Sequence, residues 1–435
     1  MSERTTAPAP PRPPAPLGAH PAFWLFWAAE SVSQFGTYVG NALLPLLAAT
    51  TLAATPLEMG LLSAAETTGY LLIGLPAGVW VARARQRLLM RRANTGRALL
   101  LCTIPAAWWA GLLTVGQLIA VALLCGVLAV LFDVAYQSHL PALVDRDRLL
   151  EGNARLQSSQ SLAQITGPGV GGAFAQLAGP ALPVLATAAG YLTSTLLLRR
   201  VREPDPAHPA EGADRRLLAE IRAGLRFLVR SRTLWAITCC TATANFFAGV
   251  LSAVQVLFLT GVLGLSGSAV GAVLSVLGLG GVLGALSAYR VVRRIGQARA
   301  VWLVPLVTFP ALLPVPLAGR GVLLAPALAG LLVTGYGVVV YNVAQVSYRQ
   351  VVCPEGMLAR VNASVRFVGF GAMTVGALAG GLLGESAAGV RGTLWIAAVG
   401  TCLAALWVVC SPLRGMRDFA AAGVDGAGGA AERGA

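Results

Sequence analysis

The sequence predicts an all-α, polytopic membrane protein made of two pseudo-symmetric six-helix bundles. Three observations predict it. About twelve apolar stretches run along the chain, each long enough to cross a hydrocarbon core of ~30 Å at ~20 residues per helix. All 32 basic residues are arginine. With the spans placed in order, nearly all of these fall on one side, and the opposite side receives only Arg320 and Arg391. The chain is 56% hydrophobic and 11% charged, with mean hydropathy +0.71, whereas soluble domains carry roughly 25% charged residues. The arginine bias is the positive-inside pattern, which places a multi-pass protein in the cell (cytoplasmic) membrane with both ends in the cytoplasm.

Taken in order, residues 1–21 are proline-rich and lack the apolar core of a signal peptide, so they read as a disordered cytoplasmic lead. Spans are expected near 22–51, 58–81, 95–114, 117–139, 153–178 and 181–199, making the first bundle, 22–199. The linker 200–232 opens with the polar stretch Arg202 to Pro209. It continues into an amphipathic helix, with Leu217, Leu218, Ile221, Leu225 and Leu228 on one face and Arg222, Arg226 and Arg230 on another. Such a helix lies along the inner leaflet with its arginines among anionic headgroups. The second bundle, 233–411, is expected from spans near 233–260, 267–289, 300–318, 322–347, 357–384 and 391–411. Residues 412–435 read as a disordered cytoplasmic tail.

The halves repeat. An ungapped alignment of Phe132–Ala154 with Tyr341–Ala363 pairs Asp133 with Asn342, Ala135 with Ala344, Ser138 with Ser347, and Asn153-Ala154 with Asn362-Ala363. Both copies follow the fourth span of a six-span half. Parallel six-helix repeats point to a transporter whose halves rock about a midplane site.

Three passages carry a family likeness: ESVSQFG with ALLPLLA in the first span, GLPAGVWVARARQRLLM after the second, and FDVAYQSHLP running into GPGVGG at the fourth and fifth. With these residues the chain resembles the major facilitator superfamily from Trp24 to Ser411. More narrowly, it is similar to the twelve-helix exporters that include bacterial macrolide-efflux and enterobactin-exporter proteins. The resemblance makes GPGVGG (Gly167, Pro168, Gly171 and Gly172 among its residues) an antiporter motif, a seal and hinge associated with export. Its bland alternative is ordinary small-residue helix packing. The loop after the second span resembles the superfamily's Gly-x-x-x-Asp-Arg-x-x-Arg gate: Gly78 and Arg83 match, Arg87 adds a basic residue, and Ala82 stands where the family has aspartate. That change is expected to loosen the cytoplasmic latch. The alternative is that these arginines only set topology. The family's Arg-x-x-x-Gly motif in span four is absent.

Polar residues at helical spacing mark cavity walls. Span one carries Glu30, Gln34, Thr37 and Asn41. Span seven carries Thr238, Thr241, Asn245 and Ser252, and span ten Thr334, Tyr341, Asn342 and Gln345. Such stripes cannot face lipid cheaply and line a cavity or glue helices together. Within the spans the ionisable residues singled out are Glu30, Glu66, Asp133 and Arg366. The three acids are the proton-coupling candidates, Asp133 and Glu30 ahead of Glu66, because Gln137 lies one turn below Asp133 and Glu30 leads a stripe. The competing reading is an Asp133–Arg366 ion pair. His139 and the tryptophans Trp24, Trp27, Trp108 and Trp109 are expected at the interface.

Several function classes fall away. The seven cysteines show no metal-ligand or disulfide spacing, so no metal and no cofactor are expected. The charge of +14 lies in loops beside spans, which argues for lipid rather than nucleic acid. No GxxxxGK[ST] occurs and there is no lysine, so ATP is not the energy source. No catalytic grouping supports an enzyme, and no charged rings support a channel. The expectation is a proton-coupled, monomeric exporter of a small molecule (drug, natural product or siderophore), with a cavity suited to neutral or cationic amphiphiles. An uptake carrier or facilitator of the same fold is the alternative.

Overall fold

The computed structural model of the protein describes residues 21–143, 149–179, 181–201, 225–353 and 358–416. Among them are twelve helices of at least 12 residues: α1 (Pro21–Thr51), α2 (Pro56–Arg83), α3 (Gln86–Trp109), α4 (Val115–Leu143), α5 (Leu149–Ala178), α6 (Ala181–Arg200), α7 (Arg232–Leu257), α8 (Gly267–Ile295), α9 (Gln297–Thr308), α10 (Ala325–Val352), α11 (Leu358–Glu385) and α12 (Gly389–Val409). Lipid offers the backbone no hydrogen bonds, so each span has to satisfy its own, and helices do this. Eight of the twelve, counting α9 with the 3₁₀ turns that continue it to Leu317, are long and apolar enough to cross a membrane by length and composition alone. The other four are α1, α2, α3 and α5, and α1 and α3 carry the polar residues of the site.

Local chemistry sets several ends. Thr55 caps α2 in a capping box: its hydroxyl accepts from Glu58 N–H at 3.3 Å, while Glu58 accepts from Thr55 N–H at 2.8 Å, with Pro56 at the first helical position. Ser231 and Ser266 cap α7 and α8. Helix α7 continues into a π turn, Phe258–Val262. The two arginines of the sparsely charged side hold loops there. Arg320 Nε donates to the Leu263 carbonyl at 2.8 Å, and Arg391 Nη2 to the Ala318 carbonyl at 3.3 Å.

Three ends differ from expectation. Helix α3 begins at Gln86, not near 95, so the run Arg87 to Arg92 is helical rather than loop. Helix α10 runs to Val352, past the expected end at 347. The tail begins later than 412, since Pro412–Gly415 forms a 3₁₀ turn with Leu413 buried. Of the expected linker helix, residues 225–230 are described and helical; Leu228 is buried there and Arg226 and Arg230 are exposed. The lead to residue 20, the linker 202–224 and the tail from 417 lie outside the described residues.

Packing repeats between halves. In the first, α1 lies on α5 and α6, and α2 on α4; in the second, α7 lies on α11 and α12, and α8 on α10. Helix α2 also packs on α11, and α5 on α8, which joins the halves. The core is split by depth. On the far side, opposite the start of α1 and the end of α12, one apolar cluster spans both halves, including Leu46, Met59, Leu118, Val270 and Leu312. On the terminal side each half keeps its own: Phe23, Phe26 and Phe132 in the first, Ile237, Val301 and Tyr348 in the second. The halves are therefore sealed on the far side and separate toward the terminal side.

Candidate functional site

A cavity of about 360 Å³ lies inside the first half, with Gln34, Thr37 and Asn41 of α1, Glu66 and Tyr70 of α2, and Asp133 of α4 among its walls. Phe370 and Met373 of α11 close it from the other half. Of the stripe expected on α1, Gln34, Thr37 and Asn41 line this cavity and Glu30 does not.

The cation of this cavity is Arg97, at 4% exposure, on α3. Its Nη2 donates to Thr37 Oγ1 at 3.0 Å and its Nη1 to Asn94 Oδ1 at 3.4 Å. The guanidinium sits 4.3 Å from the centre of the Tyr191 ring, a cation–π contact. Its Nε has no partner. Asn94, fully buried, donates to Ser33 Oγ at 3.2 Å and Ser194 Oγ at 2.9 Å. One network thus ties α1, α3 and α6 around a buried charge. Sequence reasoning passed over Arg97 because it closes the run RRANTGR, which reads as one more topology cluster. With α3 starting at Gln86, it sits three turns into the helix.

The three acids differ in setting. Glu30 is buried behind Gln34, whose Nε2 donates to it at 2.8 Å, and its second oxygen has no partner. Asp133 accepts from the Tyr70 hydroxyl. The Tyr70 ring stacks on Phe370 across the halves, centroids 4.1 Å apart and 10° between planes. Glu66 lines the cavity with one buried, unpartnered oxygen. Beside it α2 and α4 touch backbone to backbone, for a Cβ on Gly69 would lie 2.5 Å from the Gly126 carbonyl carbon. Asp133 and Arg366 form no ion pair in the described structure; each has its own surroundings.

A second cavity, about 600 Å³, lies between the halves toward the terminal side. It shares Tyr70 and Phe370 with the first and is lined by Gln137 of α4, Arg349 of α10, and Asn362 and Arg366 of α11. Of the candidates of the second half, Arg366 lies here and the others sit elsewhere. Tyr341 is buried with its hydroxyl 3.0 Å from Thr241 Oγ1 and donating to the Ile237 carbonyl at 3.2 Å, which ties α10 to α7. Gln345 Nε2 donates to Asn342 Oδ1 at 2.7 Å. Ser252 bonds its own helix at Gly249. Asn245 faces α11, where a Cβ on Gly369 would lie 3.0 Å from its Nδ2.

GPGVGG works on two faces. Added Cβ atoms on Gly167 and Gly171 would meet α1, at 2.7 Å from Tyr38 Cβ and 3.2 Å from the Val39 carbonyl oxygen. One on Gly172 would lie 2.2 Å from the Gly267 carbonyl oxygen of α8, in the other half. The Pro168 carbonyl oxygen in turn lies 2.3 Å from where a Cβ on Gly271 would be. The second half repeats this. The register that pairs Asp133 with Asn342 also pairs GPGVGG with GALAGG, Gly376 to Gly381. Added Cβ atoms on Gly376 and Gly380 would meet α7, at 1.9 Å from the Phe246 carbonyl oxygen and 2.6 Å from that of Val250. One on Gly381 would meet α2, 2.9 Å from the Pro56 carbonyl oxygen. This second motif was readable from the repeat but lacks the proline that draws attention.

The surroundings of Gly78, Ala82 and Arg83 lie outside the described residues. Arg87 Nη1 donates to the Val201 carbonyl, tying α3 to the end of α6. Trp24 and Trp27 pack edge to face and Trp24 carries Arg155 over its ring; Trp108 and Trp109 are exposed at the far end of α3. His139 is not interfacial: it is fully buried, 5.8 Å from the Phe26 ring. No group of three metal-ligating side chains occurs among the described residues.

No curated protein sequence matches the chain. Solved structures do. A bacterial homologue of the human lysosomal transporter Spinster, inward-facing and unoccupied, superposes with TM-score 0.67 at 14% identity, over 90% of this chain and 96% of that one. The nucleoside transporter NupG gives 0.73 at 13%, over 89% and 99%. A bacterial homologue of the iron transporter ferroportin, in an inward-facing state, gives 0.70 at 16%, over 89% and 98%. At these identities the likeness is one of fold. The sequence profile of the Major Facilitator Superfamily matches residues 26–373, and the chain belongs to that superfamily of transporters.

Proposed function

We propose that this transporter is a proton-coupled exporter of a small amphipathic organic molecule, working by alternating access across the cytoplasmic membrane. The observation that carries the proton coupling is the pair Glu66 and Asp133, two acids on the wall of the first cavity that form no ion pair among the described residues. An ionised carboxylate at that depth has to be met by donors or neutralised by a proton. Asp133 has the Tyr70 hydroxyl, and Glu66 has an oxygen with nothing. Glu30 stands behind Gln34, so Asp133 and Glu66 take precedence as the exchanging groups.

With both ends cytoplasmic, as the arginine bias argues, a far-side seal and separate terminal-side cores correspond to an inward-facing carrier awaiting substrate. Export is supported by GPGVGG, whose glycines lie at the crossing of α5 with α1 and α8, where a rocking motion has to pivot. The test is substrate-driven proton movement in proteoliposomes, screened over cationic dyes, macrolides and siderophores. Proton flux opposite to substrate flux supports the reading. Substrate flux that ignores an imposed proton gradient removes it.

A further inference from the structure

We propose that the cavity between the halves is an anion-receiving vestibule, and that the transported molecule carries a carboxylate or phosphate group held by Arg349 and Arg366. The inference rests on the transport reading above and names the chemistry of its substrate.

Arg349 is 8% exposed, in the last turn of α10, and its Nε is buried without a partner on the wall of this cavity. Arg366 reaches the same cavity from α11. Among the described residues no carboxylate lines it. Asp133, the nearest acid on α4, already accepts from Tyr70 at the inner end. Two guanidiniums on the wall of one cavity repel each other and the buried Arg349 Nε is left without a partner, and an anion answers both deficits. A planar guanidinium suits the paired oxygens of a carboxylate or phosphate. Gln137 and Asn362 add neutral hydrogen-bonding groups.

The rest of the wall describes the ligand's body. The stacked Tyr70 and Phe370 rings form a flat inner end, and Val134 and Phe367 are apolar. At about 600 Å³ the cavity falls within the ~300–1,000 Å³ range of small-molecule sites. An aromatic or apolar body with one anionic group fits all of these features. The sequence pointed to cationic ligands because the acids of the first half lie inside spans. Arg349 lies past the expected end of the tenth span, in a helix that runs to Val352.

The test is calorimetric binding to the purified full-length protein in detergent, with four probes of one shape. These are para-hydroxybenzoate, para-nitrophenyl phosphate, the neutral para-hydroxybenzamide and the cationic para-hydroxybenzylamine. One or both anions should bind at least about tenfold more tightly than the amide or the amine, as expected for charge-assisted hydrogen bonds, and the anion preferred tells carboxylate from phosphate. Arg349→Gln and Arg366→Gln should each weaken anion binding by about tenfold or more without changing the amide, and Arg349→Lys should recover part of it. Melting without probe checks each fold; Arg366, being exposed, keeps the test open if Arg349→Gln fails to fold.

Equal binding of amine and anion, or anion affinity unchanged in both folded variants, overturns the proposal. So does displacement of the probes by phosphatidylglycerol, which would assign the arginines to lipid. Anion binding without any proton-linked transport would remove the transport reading and leave the vestibule. Proton-linked transport of the amine without anion binding would do the reverse.

Discussion

Glu385, the last residue of α11, accepts a hydrogen bond from the Leu57 amide at the start of α2, 3.3 Å away in the other half. Gln176, two residues from the end of α5, does the same for the Ser268 amide at the start of α8, also at 3.3 Å. The repeat register that aligns GPGVGG with GALAGG aligns Gln176 with Glu385. Each half thus lends a side-chain acceptor to the exposed amides that begin the other half's second helix, on the sealed side.

These two caps should weight the equilibrium toward far-side closure. Caps of this kind at exposed helix starts contribute about 0.3–1 kcal/mol, so removing one shifts the populations by roughly two- to fivefold. Glu385→Ala or Gln176→Ala should raise far-side labelling of a cysteine placed at Asn41 by that factor, in a background lacking the native cysteines. Glu385→Gln, which keeps an acceptor, should change it less. An unchanged labelling rate in both alanine variants would make the caps incidental.

Gly172→Leu and Gly381→Leu should stop transport while leaving folded protein in the membrane. Either side chain would be driven into backbone of the opposite half, at Gly267 or at Pro56 and Gly60, so the sealed state cannot close. Far-side labelling should rise in both. Normal transport by the Gly381 variant alone would show that only the GPGVGG copy is mechanically used.

Arg97→Gln should reduce transport by about tenfold or more, since it removes a charged donor from Thr37 and leaves Asn94 with one fewer partner. Arg97→Lys should not restore it fully, because an ammonium cannot lie flat over Tyr191 while reaching both oxygens. Transport retained in Arg97→Gln would reduce this network to a packing device.

The spans were legible because lipid imposes length, composition and arginine placement on the chain directly. The stripe Gln34, Thr37 and Asn41 was legible for a related reason: polar residues at helical spacing have few places to go. Arg97 and Arg349 were not. Arg97 closes a run of arginines that reads as a topology cluster, and Arg349 follows the expected end of its span, so neither reads as a cavity residue. Tyr341 shows the opposite error of inference. Its hydroxyl fitted a cavity stripe, yet it is used up between α10 and α7, and sequence spacing cannot tell a neighbouring helix from a cavity. The coupling of GALAGG to α2 was present in the repeat, masked by an alanine where GPGVGG has proline.

Proton coupling through the cavity acids is tested by comparing gradient-driven transport with downhill exchange in liposomes for Asp133→Asn, Glu66→Gln and Glu30→Gln. Neutralising an acid that carries the proton should abolish accumulation driven by the gradient while exchange continues. Asp133→Asn or Glu66→Gln should show this uncoupled behaviour, with a smaller effect for Glu30→Gln, which sits behind Gln34. Full gradient-driven transport in all three would contradict proton coupling through these acids.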